Sequence, residues 1–595
     1  MVCNDYSIKN KNAEISKIRS GNKRTVFRNF NWTSLYQSCE LFRDFYNGIE
    51  LKYNQLMHIA RNVCGAEKGK KFFLEILSSN YSYQTNWKEI LNAIIKGNIP
   101  LQSCENCVYE KECCHSKNML ETAVPKGNDV KVLTKQQYVS IQEASENLNE
   151  IFNEVMDSEH EGIYIIKAQT GLGKTNMLIN YLKNTDKHCV IAVPTHELKD
   201  EIYNKAVMSG INNICCTPAL PEESLSDEII AEINHLYNIG AGKQVIVFLE
   251  MLCKRIDKSN KNYKMIKDYL IKSKESLRFK GHIITTHAKL LMVPENTFED
   301  YQIIIDEDIL RQVINTVAVP VKDIRAVLNE HKCFTGKAYE KLYKIIHSSG
   351  YQFHNEKIVC ETKLIKWIDS NIYGLLNSQI TYSDSQNVIF VDRKNLPNGK
   401  IVIMSATVEH EIYKYFFPMK NIVYYECKKA EYTGQVIQYI DSSYSRAYFN
   451  DKKEAIHIIK NFIEEKPVIT FKEFEHIFGS KYHFGNIEGL NVLEGKDLAV
   501  IGLPNVTEQV YILYGMCAGI NPNQMKMRPQ RIEHNGYSFR LNTFDNEIIK
   551  KIQLWLLSSQ LEQAVGRARV LRYNCSVIVF SGFPVEQAVL KNKLN

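Results

Sequence analysis

The sequence lacks the features of a membrane protein. No stretch approaches the roughly 18 consecutive apolar residues that a membrane-spanning helix needs. The N-terminal segment MVCNDYSIKNKNAEISKIRS has no apolar stretch of the kind found in signal peptides. Internal repeats and low-complexity tracts are missing as well. These absences exclude a membrane partner and favour a cytoplasmic location.

The composition is that of an ordinary globular protein. Apolar residues make up 44% and charged residues 24% of the 595 positions, and the net charge is +7. A chain of this length is expected to form two to four domains. The modest positive charge permits nucleic-acid binding without proving it. Many of the 16 cysteines stand in apolar runs, such as Cys189 and Cys575, so we expect reduced, buried thiols and no disulfides.

The chain begins with a region of helical periodicity. Segments such as WTSLYQSCELFRDFYNGIELKYNQLMHIARNVC repeat apolar residues at helical spacing. The polar stretch ETAVPKGNDVKVLTKQQ follows and is typical of a linker. We therefore predict a small helical domain over residues 1–125.

From there the pattern changes to short β-branched runs separated by helical segments. The runs GIYIIKA, HCVIAVP, HIITTHA, YQIIIDED and KIVIMSAT suit strands buried on both faces of a parallel sheet. They predict a doubly wound α/β lobe over residues 126–430. The later runs KPVITF, KDLAVIGLP and CSVIVFSG predict a second α/β lobe over residues 431–595.

A glycine-rich turn stands between the first of these runs and a helical segment. That context favours a phosphate-binding loop, because the glycines let backbone N–H groups face an anion at a helix N-terminus. Lys174 would contact the outer phosphates of ATP, and Thr175 would bind Mg²⁺. The loop AQTGLGKT comprises Ala168, Gln169, Thr170, Gly171, Leu172, Gly173, Lys174 and Thr175.

The run YQIIIDEDIL ends in an acidic pair. Asp306 falls at the end of an apolar strand, where it could reach the metal through water. Glu307 stands beside it as the expected base for hydrolysis. Together with the phosphate loop, this pair predicts an ATPase.

These motifs and four other segments resemble the superfamily 2 helicases, in family order. The strand ends AVPTHEL and TTHAKLL match segments that contact the nucleic-acid backbone in that family, and SAT matches the motif that couples hydrolysis to lobe movement. LEQAVGRARVLR matches the final motif. The resemblance implies two RecA-like lobes, and it assigns these roles to Thr195, Thr286 and His287 for nucleic acid, Ser405 and Thr407 for coupling, and Gln563 and Arg567 for catalysis.

Two assignments within this resemblance stay open. The second arginine of the final motif normally lies four residues after the glycine, where this chain has Val570. Arg569 or Arg572 could fill that role. The segment HFGNIEGLNVLEGKDLAVIGLP resembles a turn that contacts nucleic acid, and it singles out Gly489 and Asn491.

The first lobe is longer than a minimal helicase lobe. We predict helical insertions at about residues 200–283 and 310–398. The second is basic and aromatic; it resembles the arch of DNA helicases related to nucleotide excision repair, which could guide a single strand, or it is a packing subdomain. The first is lysine-rich, and a charge run of that kind is usually a solvated face.

The segment CENCVYEKECCH closes the helical domain with a dense set of metal-binding side chains. Its spacing favours a structural Zn²⁺ site. An iron-sulfur cluster is the main alternative, although related helicases carry theirs inside the first lobe. A distant residue such as Cys64 could supply the fourth ligand. The candidate ligands are Cys104, Cys107, Cys113, Cys114 and His115.

These features together predict an ATP-dependent helicase or translocase with nucleic acid as its partner, DNA being favoured over RNA. An RNA helicase and an ATPase switch that does not unwind remain as alternatives. The helical region also resembles part of plasmid and mobile-element primase-helicases. That resemblance implies replication or mobile-element proteins as partners.

Overall fold

A computed structural model gives the fold of this chain. It describes residues 17–18, 26–27, 30, 32, 35–36 and 39–592, with gaps at 82–84, 110–116, 123–129, 134–136, 331–335, 359–367 and 488–491. Within these residues, no helix combines the length and the apolar character needed to cross a membrane.

The N-terminal region is helical around an aromatic core. Phe42, Phe45 and Phe73 are fully buried there, and the rings of Phe45 and Phe73 stack with centroids 4.8 Å apart. The short strands β1 (Lys17–Ile18) and β2 (Val26–Phe27) pair antiparallel. The helices of this region are Glu40–Tyr46, Tyr53–Val63, Gly69–Asn80, Trp87–Lys96 and Met119–Thr122.

The first lobe contains a seven-stranded sheet and an inserted four-stranded sheet. The strands between residues 131 and 426 are β3 (Lys131–Val132), β4 (Gly162–Lys167), β5 (Cys189–Val193), β6 (Ile214–Cys216), β7 (His282–Thr286), β8 (Gln302–Asp306), β9 (Ile314–Pro320), β10 (Gly350–Phe353), β11 (Ile380–Ser383), β12 (Asn387–Arg393), β13 (Lys400–Ser405) and β14 (Ile422–Glu426).

The seven-stranded sheet has the order β14-β4-β13-β8-β5-β7-β6, and all of its pairs are parallel. This confirms the parallel sheet predicted from the apolar runs, whose residues are buried on both faces. Because the strands are parallel, their carboxyl ends meet at one edge, where ligands bind in such folds. The helices of this lobe are Ile141–Asp157, Lys174–Asn184, His196–Met208, His287–Met292, Leu310–Val313 and His410–Phe416.

The two insertions differ in structure. The range predicted for the first insertion contains the strand β6 and three helices: Asp227–Asn238, Gln244–Arg255 and Lys261–Ser276. The prediction of a helical second insertion is wrong in part, because β9 to β12 form an antiparallel sheet in the order β10-β11-β12-β9. Val317 and Val319 of β9 and Val388 and Phe390 of β12 are two positions apart, so each pair lies on one face of its strand. That face packs on the helices Val321–Asn329, Lys337–His347 and Ile372–Asn377.

The second lobe contains a six-stranded sheet and a hairpin. Its strands are β15 (Gln435–Tyr439), β16 (Val468–Thr470), β17 (Tyr482–His483), β18 (Leu498–Ile501), β19 (Met527–His534), β20 (Tyr537–Phe544), β21 (Ser576–Phe580) and β22 (Ala588–Lys591). Its helices are Arg446–Asp451, Lys453–Ile463, Glu475–Phe478, Glu508–Cys517 and Glu547–Gly566.

The six-stranded sheet has the order β17-β16-β18-β21-β15-β22, and its pairs are parallel. It contains the three strands predicted from the apolar runs of this lobe. The hairpin β19-β20 pairs with β3, which lies at the start of the first lobe in sequence, ahead of the strands of the seven-stranded sheet. The polar stretch that contains β3 therefore also contacts the second lobe, in addition to the interface between the two lobes.

Candidate active site

The predicted phosphate loop joins β4 to the helix that begins at Lys174. Gly171 and Gly173 adopt positive φ values of 86° and 109°, a conformation that side chains disfavour. The N–H of Ala168 donates to the carbonyl of Ser405 at 3.0 Å, so the loop starts beside the coupling motif on β13. The Gly-Lys-Thr sequence thus lies at a helix N-terminus, as predicted for anion binding.

Lys174 and Asp306 lie together under this loop. Their exposed fractions are only 7% and 5%. Burial raises the pKa of Asp306 above its usual range, and the positive charge of Lys174 opposes that shift. Among the described residues, Asp306 Oδ1 has no hydrogen-bond partner. A buried carboxylate oxygen without a partner beside a lysine is suited to a cationic ligand.

Glu307 occupies a strained backbone position directly after β8. Its φ is +74°, and such conformations in non-glycine residues cluster at functional sites. The Ser405 hydroxyl donates to Glu307 Oε2 at 3.0 Å. Burial acts to raise the pKa of Glu307, but the charges of Lys174 and Arg567 and this hydrogen bond outweigh it, so that the pKa lies below its usual value. Glu307 is therefore ionised, as a general base must be.

The coupling motif is in direct contact with this acidic pair. The hydroxyls of Ser405 and Thr407 lie 3.2 Å apart, and both side chains are buried. A chain of hydroxyls thus leads from Glu307 to the segment that follows β13. The side chains predicted for coupling are placed where a change at Glu307 would reach them.

The residues predicted to contact nucleic acid have mixed outcomes. Thr195 and Thr286 each cap a helix, accepting from the N–H of Leu198 at 3.3 Å and of Lys289 at 3.2 Å. His287 needs a correction, because its ring is buried and its Nε2 donates to the Asp306 carbonyl at 2.9 Å. Burial also lowers the pKa of His287 to about 4, so it is a neutral support for β8. The predicted residues Gly489 and Asn491 lie outside the described part of the chain.

The final motif of the second lobe faces the phosphate loop. Gln563 lies half-buried in the helix Glu547–Gly566, and a Cβ placed on Gly566 would approach Thr170 to 3.2 Å. The positive charge of Arg567 lowers the pKa of Glu307. This arginine therefore acts on the acidic pair across the cleft.

The two alternatives for the second arginine both reach the site. The charge of Arg569 lowers the pKa of Asp306, although Arg569 also forms an ion pair with Glu494 at 3.3 Å. Arg572 donates to the carbonyl of Gly171 in the phosphate loop. Val570, which stands at the family position, is buried in the core of the second lobe.

A contact that the sequence analysis missed joins the phosphate loop to the interlobe linker, residues 427–434 between β14 and β15. Gln169 Oε1 accepts from the N–H of Ala430 at 2.6 Å, and Gln169 Nε2 donates to the carbonyl of Ala430 at 3.2 Å. Gln587 of the second lobe also donates to this carbonyl, at 3.0 Å. No local pattern signals these contacts, because the partners are more than 150 residues apart in the chain.

Asp308 is a second missed feature. Its carboxylate accepts from the Tyr413 hydroxyl at 2.6 Å and from the indole N–H of Trp555 at 3.2 Å. Burial raises the pKa of Asp308 to about 6, although the Tyr413 hydrogen bond lowers it. Asp308 therefore links the strand that carries Asp306 and Glu307 to the long helix of the second lobe.

A set of charged side chains lines the cleft beside the loop. Lys167 pairs with Glu409 at 2.5 Å, and Lys429 pairs with Glu586 at 3.0 Å. Burial raises the pKa of Glu562 to about 7, against the opposing charge of Lys167. This nucleotide side of the interface is thus polar on both lobes.

The predicted metal site is described only in part. Cys104 is buried and Cys107 is half-buried, whereas Cys113, Cys114 and His115 lie outside the described residues. Burial raises the pKa of the Cys39 thiol to about 12, and Cys107 and Cys104 are close enough to add to this shift. In the described part of the chain, no group of three or more candidate ligands could hold a metal ion.

No protein-family model matches this sequence, and a search of curated proteins also finds no match. Among solved structures, one similar chain is S. tokodaii Xpd4, with 13% identity and a TM-score of 0.40; it covers 76% of this chain and 100% of that chain. Another is a DEAD box protein from the hyperthermophile Methanococcus jannaschii, with 12% identity, a TM-score of 0.21 and coverage of 76% and 94%. A third is the DUF1998 helicase MrfA bound to DNA and AMPPNP, with 12% identity, a TM-score of 0.25 and coverage of 77% and 52%. Scores of this size carry no argument about activity.

Proposed function

We propose that this chain is an ATP-dependent nucleic-acid helicase or translocase of superfamily 2, acting on DNA. One observation carries the proposal. The final motif of the second lobe contacts the phosphate loop of the first, since Arg572 donates to the Gly171 carbonyl and a Cβ on Gly566 would lie 3.2 Å from Thr170. The charges of Arg567 and Arg569 also act on Glu307 and Asp306. A hydrolytic site that two lobes share is the arrangement that a motor requires.

The site fits a magnesium nucleotide. The partnerless oxygen of Asp306 and the hydroxyl of Thr175 at the helix N-terminus are the groups that would hold Mg²⁺. When bound, the ion neutralises phosphate charge. The positive φ values of Gly171 and Gly173 shape a turn of backbone N–H groups that suits the phosphates of ATP.

Each side chain then has a distinct role in hydrolysis. Lys174 stabilises the charge on the outer phosphates. Glu307, ionised and held by Ser405, accepts a proton from the attacking water. Arg567 approaches from the second lobe and stabilises the charge that develops on the transferred phosphoryl group. Gln563, in the helix that ends just before Arg567, is a further polar group that could orient the attacking water.

Hydrolysis of ATP would change the contacts between the two lobes. Loss of the outer phosphate removes the anion that attracts Arg567 and either Arg569 or Arg572 to the first lobe. The linker held by Gln169 and the carboxylate of Asp308 are the points at which this change reaches the second lobe. A strand bound across both lobes would then be moved once per cycle.

The rate of ATP hydrolysis tests this proposal. It should be measured with single-stranded DNA, with single-stranded RNA and with neither. Stimulation by DNA is expected. Stimulation by RNA alone would favour an RNA helicase, and hydrolysis without stimulation by either would favour a switch.

A second function, an ATPase switch that does not unwind, is favoured by one observation. The two lobes share a single hydrophobic cluster that includes Ile314, Phe416, Tyr514 and Trp555. Such a dry contact limits how far the lobes separate. Displacement of a labelled strand from a tailed duplex distinguishes the switch from a helicase, because a switch would hydrolyse ATP without releasing the strand.

A structural Zn²⁺ ion in the helical region stays a prediction. The chemistry of the Cys-x-x-Cys pair supports it, and iron-sulfur is the alternative. Metal analysis of the purified protein with and without Cys104→Ser and Cys107→Ser separates these, since an iron-sulfur centre absorbs visible light and Zn²⁺ does not. Partners in replication or in mobile-element maintenance likewise stay a prediction.

A further inference from the structure

The positive charge of the chain is concentrated in one segment. Residues 254–280 contain ten Lys or Arg and three Asp or Glu, which gives the segment the same net charge of +7 as the whole chain. The other residues are therefore balanced in charge. A surplus confined to so short a segment is a local electrostatic feature.

All ten basic side chains of this segment are exposed. The helix Lys261–Ser276 buries Ile266, Leu270, Ser273 and Ser276 on one side, which leaves the other side to the charged residues. Two of the ten form ion pairs with described residues, Lys272 with Asp268 at 2.8 Å and Lys274 with Glu250 at 3.0 Å. The basic surface consists of Lys254, Arg255, Lys258, Lys261, Lys264, Lys267, Lys272, Lys274, Arg278 and Lys280.

The buried side of this helix is attached to the edge of the sheet that carries the candidate site. Lys289, in the helix that follows β7, donates to Ser273 Oγ at 3.1 Å. Thr286 caps that helix. The helix that carries much of the basic surface thus contacts the TTHAKLL segment through Ser273 and Lys289.

We propose that this basic surface is a binding site for the phosphate backbone of single-stranded DNA, separate from the cleft between the lobes. The inference rests on the proposed function, which supplies the strand. Ammonium and guanidinium groups neutralise phosphates without reading bases, so binding should be insensitive to sequence and sensitive to salt. The ordinary interpretation of a charge run is a solvated face that binds nothing. In that case, changing these charges would alter neither the affinity for DNA nor its salt dependence.

Charge reversal tests the site. The variant Lys261→Glu, Lys264→Glu, Lys267→Glu changes one face of the helix. A matched control changes exposed lysines elsewhere, Lys88→Glu, Lys96→Glu and Lys453→Glu, and so alters the net charge equally. Binding of fluorescent single-stranded oligothymidylate is measured by anisotropy over a salt series.

The surface variant should bind at least about tenfold more weakly, and its slope of log affinity against log salt should fall by about 2, because each lost phosphate contact on a single strand contributes about 0.7. The control should keep the wild-type slope. Equal affinity and slope for the surface variant and the control would overturn the proposal. Loss of slope with RNA but not with DNA would overturn the choice of DNA.

Two further measurements separate DNA binding by the basic surface from the proposed ATP-driven activity. The neutral variant Lys261→Gln, Lys264→Gln, Lys267→Gln should also lose slope, which excludes repulsion by new carboxylates as the cause; an unchanged slope counts against the site. ATP hydrolysis without DNA should be unchanged in both surface variants. If wild type does not hydrolyse ATP at all, the proposed function fails while the salt dependence of binding still decides this inference.

Discussion

The interface between the lobes has two chemically different sides. On the nucleotide side, the phosphate loop faces charged groups such as Lys167, Lys429 and Glu562. In a second part of the interface, the apolar side, Tyr514 and Trp555 pack into the hydrophobic cluster of the first lobe. Charged groups that gain or lose a ligand can separate at little cost, whereas separating apolar surfaces exposes them to water. We therefore expect the cleft to open on the nucleotide side and to pivot on the apolar side.

We therefore expect substitutions on the apolar side to lower the free energy of unfolding, and substitutions on the nucleotide side to lower the rate of ATP hydrolysis. The largest change in stability is expected from Trp555→Ala. Trp555 is 1% exposed, and removing so large a buried side chain costs about 3–5 kcal/mol of unfolding free energy. Denaturant unfolding measures this loss.

The matched control is Trp555→Phe, which keeps most of the ring and loses the hydrogen bond to Asp308. Its loss should be smaller than that of Trp555→Ala. A loss below about 1 kcal/mol for Trp555→Ala would show that the apolar side is not a stabilising contact.

On the nucleotide side, Lys174→Ala should reduce the rate of ATP hydrolysis by about 10²–10³-fold, the cost of removing one preorganised charge from a transition state. Thermal unfolding without ATP should change little. Lys183→Ala, at an exposed position of the same helix, should keep the wild-type rate. Hydrolysis by Lys174→Ala at the wild-type rate would place the active site elsewhere.

The pKa of Asp308 predicts a pH dependence of stability. Because burial raises this pKa from 3.8 to about 6, the folded protein binds the proton more tightly than the unfolded chain. The contribution of Asp308 is therefore fully present below about pH 4 and is lost as the pH rises through about 6, by at most about 3 kcal/mol. The free energy of unfolding should be measured across this range for wild type and for Asp308→Asn. The difference between the two proteins should change by up to about 3 kcal/mol, since the other buried carboxyls, such as Asp306 and Glu562, titrate in both.

The exposed Asp300 provides the comparison for this measurement. Asp300→Asn should follow the wild-type curve at every pH. Parallel curves for wild type and Asp308→Asn would contradict the raised pKa of Asp308.

The smallest effect is expected at the linker. Gln169→Ala removes both hydrogen bonds to Ala430, while Gln587 keeps its own contact with the Ala430 carbonyl. The cost should be about 1 kcal/mol in unfolding free energy. Gln142→Ala, at an exposed helical position, should cost less, and an equal loss in the two variants would show that the linker contact adds no stability.

The sequence predicted the parts of the site that local order determines. The buried strands, the turn between β4 and the helix that begins at Lys174, and the position of Asp306 at the end of β8 are each set by neighbouring residues, so they lie where the sequence predicts them. The contacts of Gln169 with Ala430 and of Asp308 with Trp555 join residues 261 and 247 positions apart. No pattern of neighbours encodes such pairs, and only folding brings them together.

Two misses had other causes. The hairpin β19-β20 carries a recognisable signal in the sequence, the pair Asn535 and Gly536. Both residues adopt the positive φ that a tight two-residue turn requires. His287 was assigned by its place in a motif, but that place says nothing about burial. Its neighbours in the sheet decide where the ring points.

The central claim is that both lobes complete one hydrolytic site. ATP hydrolysis by Arg567→Ala tests it most directly, with Arg325→Ala as a control at an exposed arginine in the inserted subdomain. If both lobes complete the site, Arg567→Ala should still bind a fluorescent ATP analogue and should hydrolyse ATP about 10²-fold or more slowly than wild type, while Arg325→Ala should match wild type. Hydrolysis by Arg567→Ala at the wild-type rate would contradict this claim.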